Sequence, residues 1–367
     1  MKRLIAPLVT LLLLLTASAA LQAQDRSETK RYLYLSTPDA AQLEGQAEGA
    51  GLLIFDIDDG HKLVRRIDIP VFEDGLRGLA GSLATHSLYY STQNPRIGAF
   101  DLETDQIVWD RTYRLGSDRS SITMDGKKVY VPTGWWISGE ESGVLVLDAE
   151  NGDLIKQVRV GSQAHNSLVS VDGRFLYLGT TRMLTMLDTE DESIVHQIAP
   201  VGESGGQGVF PFTVDSANRY AYVSLGNHVG FEVIDLEQER IVHRVLVDGE
   251  PILHRTHGAA LTPDETELWI SDQESRKLFI FDNTQMPPVQ TGELDLSQGG
   301  HGWVTFSLDG RYAWTHTPDV FDARTKKKIA TLRDENGNPV SGSKFIEVHF
   351  RDGKVVAVGN EFGLGRR

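Results

Sequence analysis

The chain has 367 residues, with 36 Lys and Arg against 51 Asp and Glu, 11 His and no Cys, for a formal net charge of −15. A field of that sign repels phosphate backbones and anionic headgroups, so nucleic acid and membrane surfaces are set aside as partners. The lack of cysteine excludes disulfides, thiolate nucleophiles and Cys-ligated zinc or iron–sulfur centres.

The chain opens on a basic Met1-Lys2-Arg3, an apolar run from Leu4 to Leu15, small residues at Ala17 to Ala20, and Leu21-Gln22-Ala23 before Gln24. This pattern predicts a secretory signal over 1–23, a short flexible lead over 24–30 and a propeller domain over 31–367. The expected location is periplasmic or secreted, with no membrane span once the signal is removed. A retained anchor is the alternative, although the apolar run is short for a bilayer.

A first strand is expected at Arg31 to Thr37, followed by a polar loop at Ala40 to Ala50 that suits a lid or partner arm. From there two phrases alternate. One is an apolar run ending in aspartate, as in Gly143-Val-Leu-Val-Leu-Asp148, and its copies centre on Asp56, Asp101, Asp148, Asp188, Asp235, Asp282 and Asp322. The steps between them, by subtraction, are 45, 47, 40, 47, 47 and 40 residues, the period of a four-stranded blade. The other phrase pairs two strands about an aspartate turn: Ile122 to Val131, Val169 to Leu178, Leu261 to Ile270, Phe306 to Trp314, and more loosely Val214 to Val223. Asp-Gly at such a turn signals a hairpin that needs positive φ.

The fold class is therefore all-β: a seven-bladed β-propeller of four-stranded antiparallel blades, closed by pairing of N- and C-terminal strands. Closure matters because an open ring would expose a strand edge. The hairpin of Lys344 to Phe350 and Lys354 to Asn360 is expected to complete the blade begun at the N-terminus. Arg31 to Thr37 and Lys354 to Val358 then compete for one strand position, which leaves eight blades as the alternative.

These phrases resemble the YVTN-type β-propeller repeats, with their "SPDG…LYV" and "V-ID-x-x-x-G" words, over roughly residues 31 to 360. The resemblance implies the fold. It spans lactonase-like hydrolases, large subunits of amine dehydrogenases, copper reductases and binding scaffolds, so it does not choose an activity.

Mapping the histidines onto the repeat places His165 and His257 seven residues before the turn aspartates Asp172 and Asp264, and His301 eight before Asp309. All three are expected to begin innermost strands near the axis, in blades 4, 6 and 7. His254, His228 and His316 fall in loops of the same face. Neutral imidazoles converging on an axis suit a copper, iron or zinc ion, so His165, His257 and His301 form a candidate metal set; the bland alternative is strand capping and channel water. At the equivalent place in other blades stand Arg77, Asp118 with Arg119, Glu203 with Gln207, and Lys344 with Glu347. A funnel of Arg77, Arg119, Gln207, His228, His254 and His316 suits a small polar or anionic ligand. Trp135-Trp136, on the long loop Gly134 to Ser142, reads as a contact surface or a packing anchor.

Three functions are consistent with this pattern. The first is an exported binding or scaffold propeller for a small polar ligand, a metal or another exported protein. The second is a metal-dependent oxidoreductase or lactonase-like hydrolase. The third is the propeller subunit of a periplasmic, amine-dehydrogenase-like redox complex. No phosphate loop, nucleophile elbow or dinucleotide fingerprint appears in the sequence.

Overall fold

The computed structural model describes residues 28–37, 51–69, 75–92, 95–199, 209–272, 274–299, 302–342 and 344–360. The expected signal, most of the lead and the loop Ala40 to Ala50 lie outside them. The described chain forms seven antiparallel sheets, six of four strands and one of five, arranged as a seven-bladed propeller. Blades 2 to 7 are each a simple meander, running from an innermost strand at the axis to an outer strand at the rim.

The repeating aspartates explain why the turns recur. Each ends the third strand of its blade, and its carboxylate accepts backbone N–H groups of the turn that follows. Asp56 accepts from Asp58 and Asp59, Asp101 from Glu103 and Thr104, Asp148 from Glu150, and Asp322 from Thr325. A short acceptor side chain thereby satisfies donors that the turn would otherwise leave bare. The hairpins between first and second strands have the expected positive φ at Gly126 (72°), Gly173 (76°) and Gly310 (69°). Asn218 and Glu265 take the same conformation in the looser copies.

The core lies between blades. Tyr90, Tyr130, Tyr177, Tyr222, Trp269 and Trp314, one in the second strand of each of blades 2 to 7, are fully buried. Several also fasten the next blade through their polar tips. The Tyr177 hydroxyl donates to Asn218 of blade 5 (3.2 Å), Tyr222 to Asn283 of blade 6 (2.7 Å), and the Trp314 indole N–H to His61 Nε2 of blade 1 (3.0 Å). A buried aromatic with a satisfied tip gives both area and register.

The ring closes in blade 1. Phe345–Arg351 supplies its innermost strand and pairs with Lys30–Thr37, from Leu35↔Phe345 to Lys30↔Phe350. Lys354–Val358 does not compete with the N-terminal strand. It pairs with the opposite edge of Phe345–Arg351, from Arg351↔Lys354 to Val348↔Val358, as a fifth strand. Beyond it Asn360 joins Ser120, Ser121 and Ser167 around a chamber of about 20 Å³ between the inner strands of blades 2, 3 and 4. That is room for one water molecule.

Candidate functional site

Innermost strands begin at one face, here the upper one, and the loops joining second and third strands lie there too. Four of the expected polar positions meet at this mouth of the channel. The innermost strand of blade 4, Ala164–Val169, is laced to the start of that of blade 3: the Arg119 N–H donates to the His165 carbonyl (3.3 Å), and the Ser167 N–H to the Arg119 carbonyl (3.3 Å). This lacing fixes the backbone of Arg119 beside His165, one blade away.

The side chains then form a chain of contacts. His165 Nδ1 lies 2.7 Å from Asp118 Oδ2, and Arg119 Nε donates to His165 Nε2 (3.4 Å). Arg77 Nε reaches the other Asp118 oxygen at 3.5 Å, and Arg119 Nη1 donates to the Arg77 carbonyl (3.3 Å). Both imidazole contacts agree on one tautomer, with the proton on Nδ1 facing the carboxylate and Nε2 accepting from the guanidinium. All four side chains are buried.

Burial by itself would raise the Asp118 carboxyl, but His165, Arg77 and Arg119 outweigh it and hold it at about 2. Burial lowers His165 to about 4, with Asp118 opposing and the two arginines adding to the effect. At neutral pH the cluster is thus a carboxylate, a neutral imidazole and two guanidinium groups.

Around this chain stand His257, Trp303 and Lys344, all buried. The His257 ring lies edge-on to His165 (6.3 Å between centroids) and to Trp303 (5.9 Å). Trp303 carries two cations on its ring: the Arg119 guanidinium 4.1 Å from its centroid and the Lys344 ammonium 3.2 Å from it. His316 is buried as well, and its backbone N–H donates to the Trp303 carbonyl (3.0 Å).

The structure thus brings together Arg77, Arg119, His165, His257 and His316. It places two other candidates further out. His228 is half-buried and bonds Asn227 (3.0 Å), and His254 pairs with Glu274 (3.2 Å). Glu347 is engaged by the Leu308 N–H and by His349. Gln207, Glu203 and His301 lie outside the described residues. Among the described residues no group of three His, Asp or Glu side chains is placed to hold a metal ion. Of the expected metal set, His165 has both ring nitrogens engaged by Asp118 and Arg119.

The two loop tryptophans differ in their surroundings. The Trp136 ring fills the space over Gly116 and Gly134, where any Cβ would collide with it, and Gly134 has φ of 102°. The Arg77 guanidinium sits 4.9 Å from its centroid, linking the loop to the central cluster. Trp135 remains 45% exposed, edge-on to Trp136, with its carbonyl held by Gln163 Nε2 (2.7 Å). Trp303 was not singled out by the sequence reading. The signal available was its place at the start of an innermost strand, six residues before the turn aspartate Asp309 and one past the position that His165 and His257 occupy.

Solved structures with the same architecture include hydrazine synthase of Kuenenia stuttgartiensis, at TM-score 0.57 and 15% identity over 78% of this chain and 95% of that one. The dihydro-heme d1 dehydrogenase NirN, in complex with DHE, matches at 0.57 and 16% over 91% and 75%. The β-propeller domain of Cps50 (Swd1) from Myceliophteria thermophila matches at 0.54 and 11% over 70% and 83%. At these identities the likeness is one of fold. No curated protein matches the sequence. A family model does match, over residues 93–364, and its repeat is of the same propeller kind that the YVTN-like phrases indicated. The chain therefore belongs to the family described as outer membrane protein assembly factor BamB.

Proposed function

We propose that this chain is an exported docking propeller, which holds another exported protein against its upper face. The observation that carries this reading is the paired loop tryptophans. One ring is anchored over Gly116 and Gly134 and under Arg77, so its neighbour is presented to solvent on a loop that cannot swing freely. A large, pre-ordered aromatic is the side chain that gains most on docking, because little rotamer freedom is left to lose. Leu253, 71% exposed in the connection entering blade 6, adds a second apolar contact on the same face. The family described as an assembly factor supports a role in holding partners.

Co-purification from the exported fraction tests this reading. The intact mature chain is expected to bring down one protein in stoichiometric amount, and Trp135→Ala to reduce it about tenfold with an unchanged melting temperature. Equal recovery by the two proteins would remove the tryptophan loop, and with it this reading.

A further inference from the structure

We propose that the cleft between blades 1 and 2 on the lower face binds a small neutral molecule, an apolar ring body carrying one hydrogen-bond acceptor, which the Tyr34 hydroxyl recognises. The site lies on the face opposite the tryptophan loop and is independent of docking there.

The first support is the cleft itself. Its volume is about 560 Å³, within the range of small-molecule sites. Its apolar lining comes from Tyr32, Tyr34, Ile54, Val64 and Phe350 of blade 1 and from Leu102 of blade 2. Ile54 and Leu102 are buried, and Tyr32 meets Phe350 edge-on at 5.8 Å between centroids. The charges of the rim are of both signs. Arg65 is paired with Asp105 (2.7 Å) and Glu103 with Lys354 (2.7 Å), while Lys30, Glu28 and Asp352 stand exposed, where water screens them. Such walls favour a neutral guest over an ion. The residues just before Glu28, Gln24 to Ser27, are polar and carry no apolar side chain to cover the lining.

The second support is Tyr34. The second-strand aromatics of blades 2 to 7 all use their polar tips: Tyr90 donates to Asp110, Tyr130 to the Thr189 carbonyl, Tyr177 to Asn218, Tyr222 to Asn283, Trp269 to Glu267 and Trp314 to His61. Tyr34 is their counterpart in blade 1. It is 1% exposed and lines the cleft, and among the described residues its hydroxyl has no hydrogen-bond partner. The sequence of the next blade supplies a reason. Asn283, which receives Tyr222, directly follows the third-strand aspartate Asp282, and the residue that directly follows Asp101 is Leu102, whose side chain offers no acceptor. Burial pushes the Tyr34 hydroxyl up, with Arg65 opposing, so at neutral pH it remains a donor. An acceptor on a bound ring would satisfy that donor in apolar surroundings, where a hydrogen bond counts for more than in water.

Fluorescence titration of the intact mature protein with prodan, a neutral naphthyl ketone whose emission moves to the blue in apolar surroundings, tests the assignment. Naphthalene, which has the rings without the carbonyl, is measured by competition. Prodan is expected to bind saturably with a blue shift. Tyr34→Phe is expected to lower its affinity about fivefold, to leave that of naphthalene unchanged and to keep the melting temperature. Tyr222→Phe, which loses the bond to Asn283, is expected to melt about 2 °C lower. Val64→Trp, at a half-exposed outer-strand position, fills the cleft and is expected to weaken both ligands at least tenfold in a folded protein. Trp135→Ala is expected to change neither.

No saturable shift with folded protein would overturn the site, because the cleft would then hold solvent alone. Binding that survives Val64→Trp, or that is lost in Trp135→Ala, would place the probe elsewhere and overturn it too. Prodan affinity unchanged in Tyr34→Phe, or lowered equally with that of naphthalene, would remove the hydroxyl as the recognising group. A melting temperature lowered in Tyr34→Phe as in Tyr222→Phe would make that hydroxyl a brace of the fold.

Discussion

Two buried histidines, His165 and His61, make the fold sensitive to acid. Burial lowers both to about 4, from an ordinary value of 6.5, and each uses its unprotonated Nε2 as an acceptor, from Arg119 and from the Trp314 indole respectively. The unfolded chain takes up these protons near 6.5 and the folded chain only near 4. Unfolding therefore binds protons between those values, and stability falls as pH drops from 6.5 to 4, by at most about 3 kcal/mol for each histidine. Asp118, held at about 2 against 3.8, adds a further loss between 3.8 and 2. Urea titration from pH 7 to 4 should show the decline, and His61→Phe should remove its own share of the slope. A wild-type stability flat across that window would contradict the assignment of both imidazoles as neutral. The positions of His165 and His257 were legible, because each stands seven residues before a turn aspartate. Their contacts were not. Asp118 and Arg119 were placed at the equivalent point of the preceding blade, 47 and 46 residues from His165, but no local pattern records a contact made between neighbouring blades.

The blade is the element that the sequence specifies most fully. Third-strand aspartates, Asp-Gly hairpins and second-strand aromatics repeat with the period of the meander, so local turn chemistry and core packing favour the same fold. The closing blade departs from this because its strands come from both chain ends, and a repeat carries no signal for a strand added beyond the fourth. Lys354–Val358 fills that place, burying Val355 and Val358 against the inner strand of its own blade and against Gly81 of blade 2. Removing the chain after Gly353 should cost roughly 3–6 kcal/mol, from two buried valines at about 1.5–3 each, while the ring stays closed by the pairing of Lys30–Leu35 with Phe345–Phe350. Truncation before Phe345 removes that pairing and should open the ring. Thermal melts with small-angle scattering distinguish the two. If the shorter cut alone expands the particle, closure depends on the fifth strand and not on the N-terminal pair.

At the scale of the whole molecule, the two faces differ in chemistry. The upper face holds the buried Arg77–Asp118–His165–Arg119 chain, the Trp303 ring with its two cations, and the exposed Trp135 and Leu253. Further along the inner strands of blades 2, 3 and 4 lies the water-sized chamber beside Asn360. Exposed aliphatic residues elsewhere, such as Val108, Ile155 and Ile329, lie on outer strands, and the outer strand of every blade carries a register shift that breaks its free edge. Such irregular edges resist strand addition, in keeping with the proposed docking at the upper face. The most direct test is site-specific photo-crosslinking in the exported compartment. A photoreactive residue is placed at Trp135 or Leu253 on the upper face, and at Ile155 or Ile329 on the rim. Crosslinks to one defined protein from the two upper positions, and none from the rim, are the predicted result. Crosslinks from the rim with none from Trp135 or Leu253 would contradict upper-face docking.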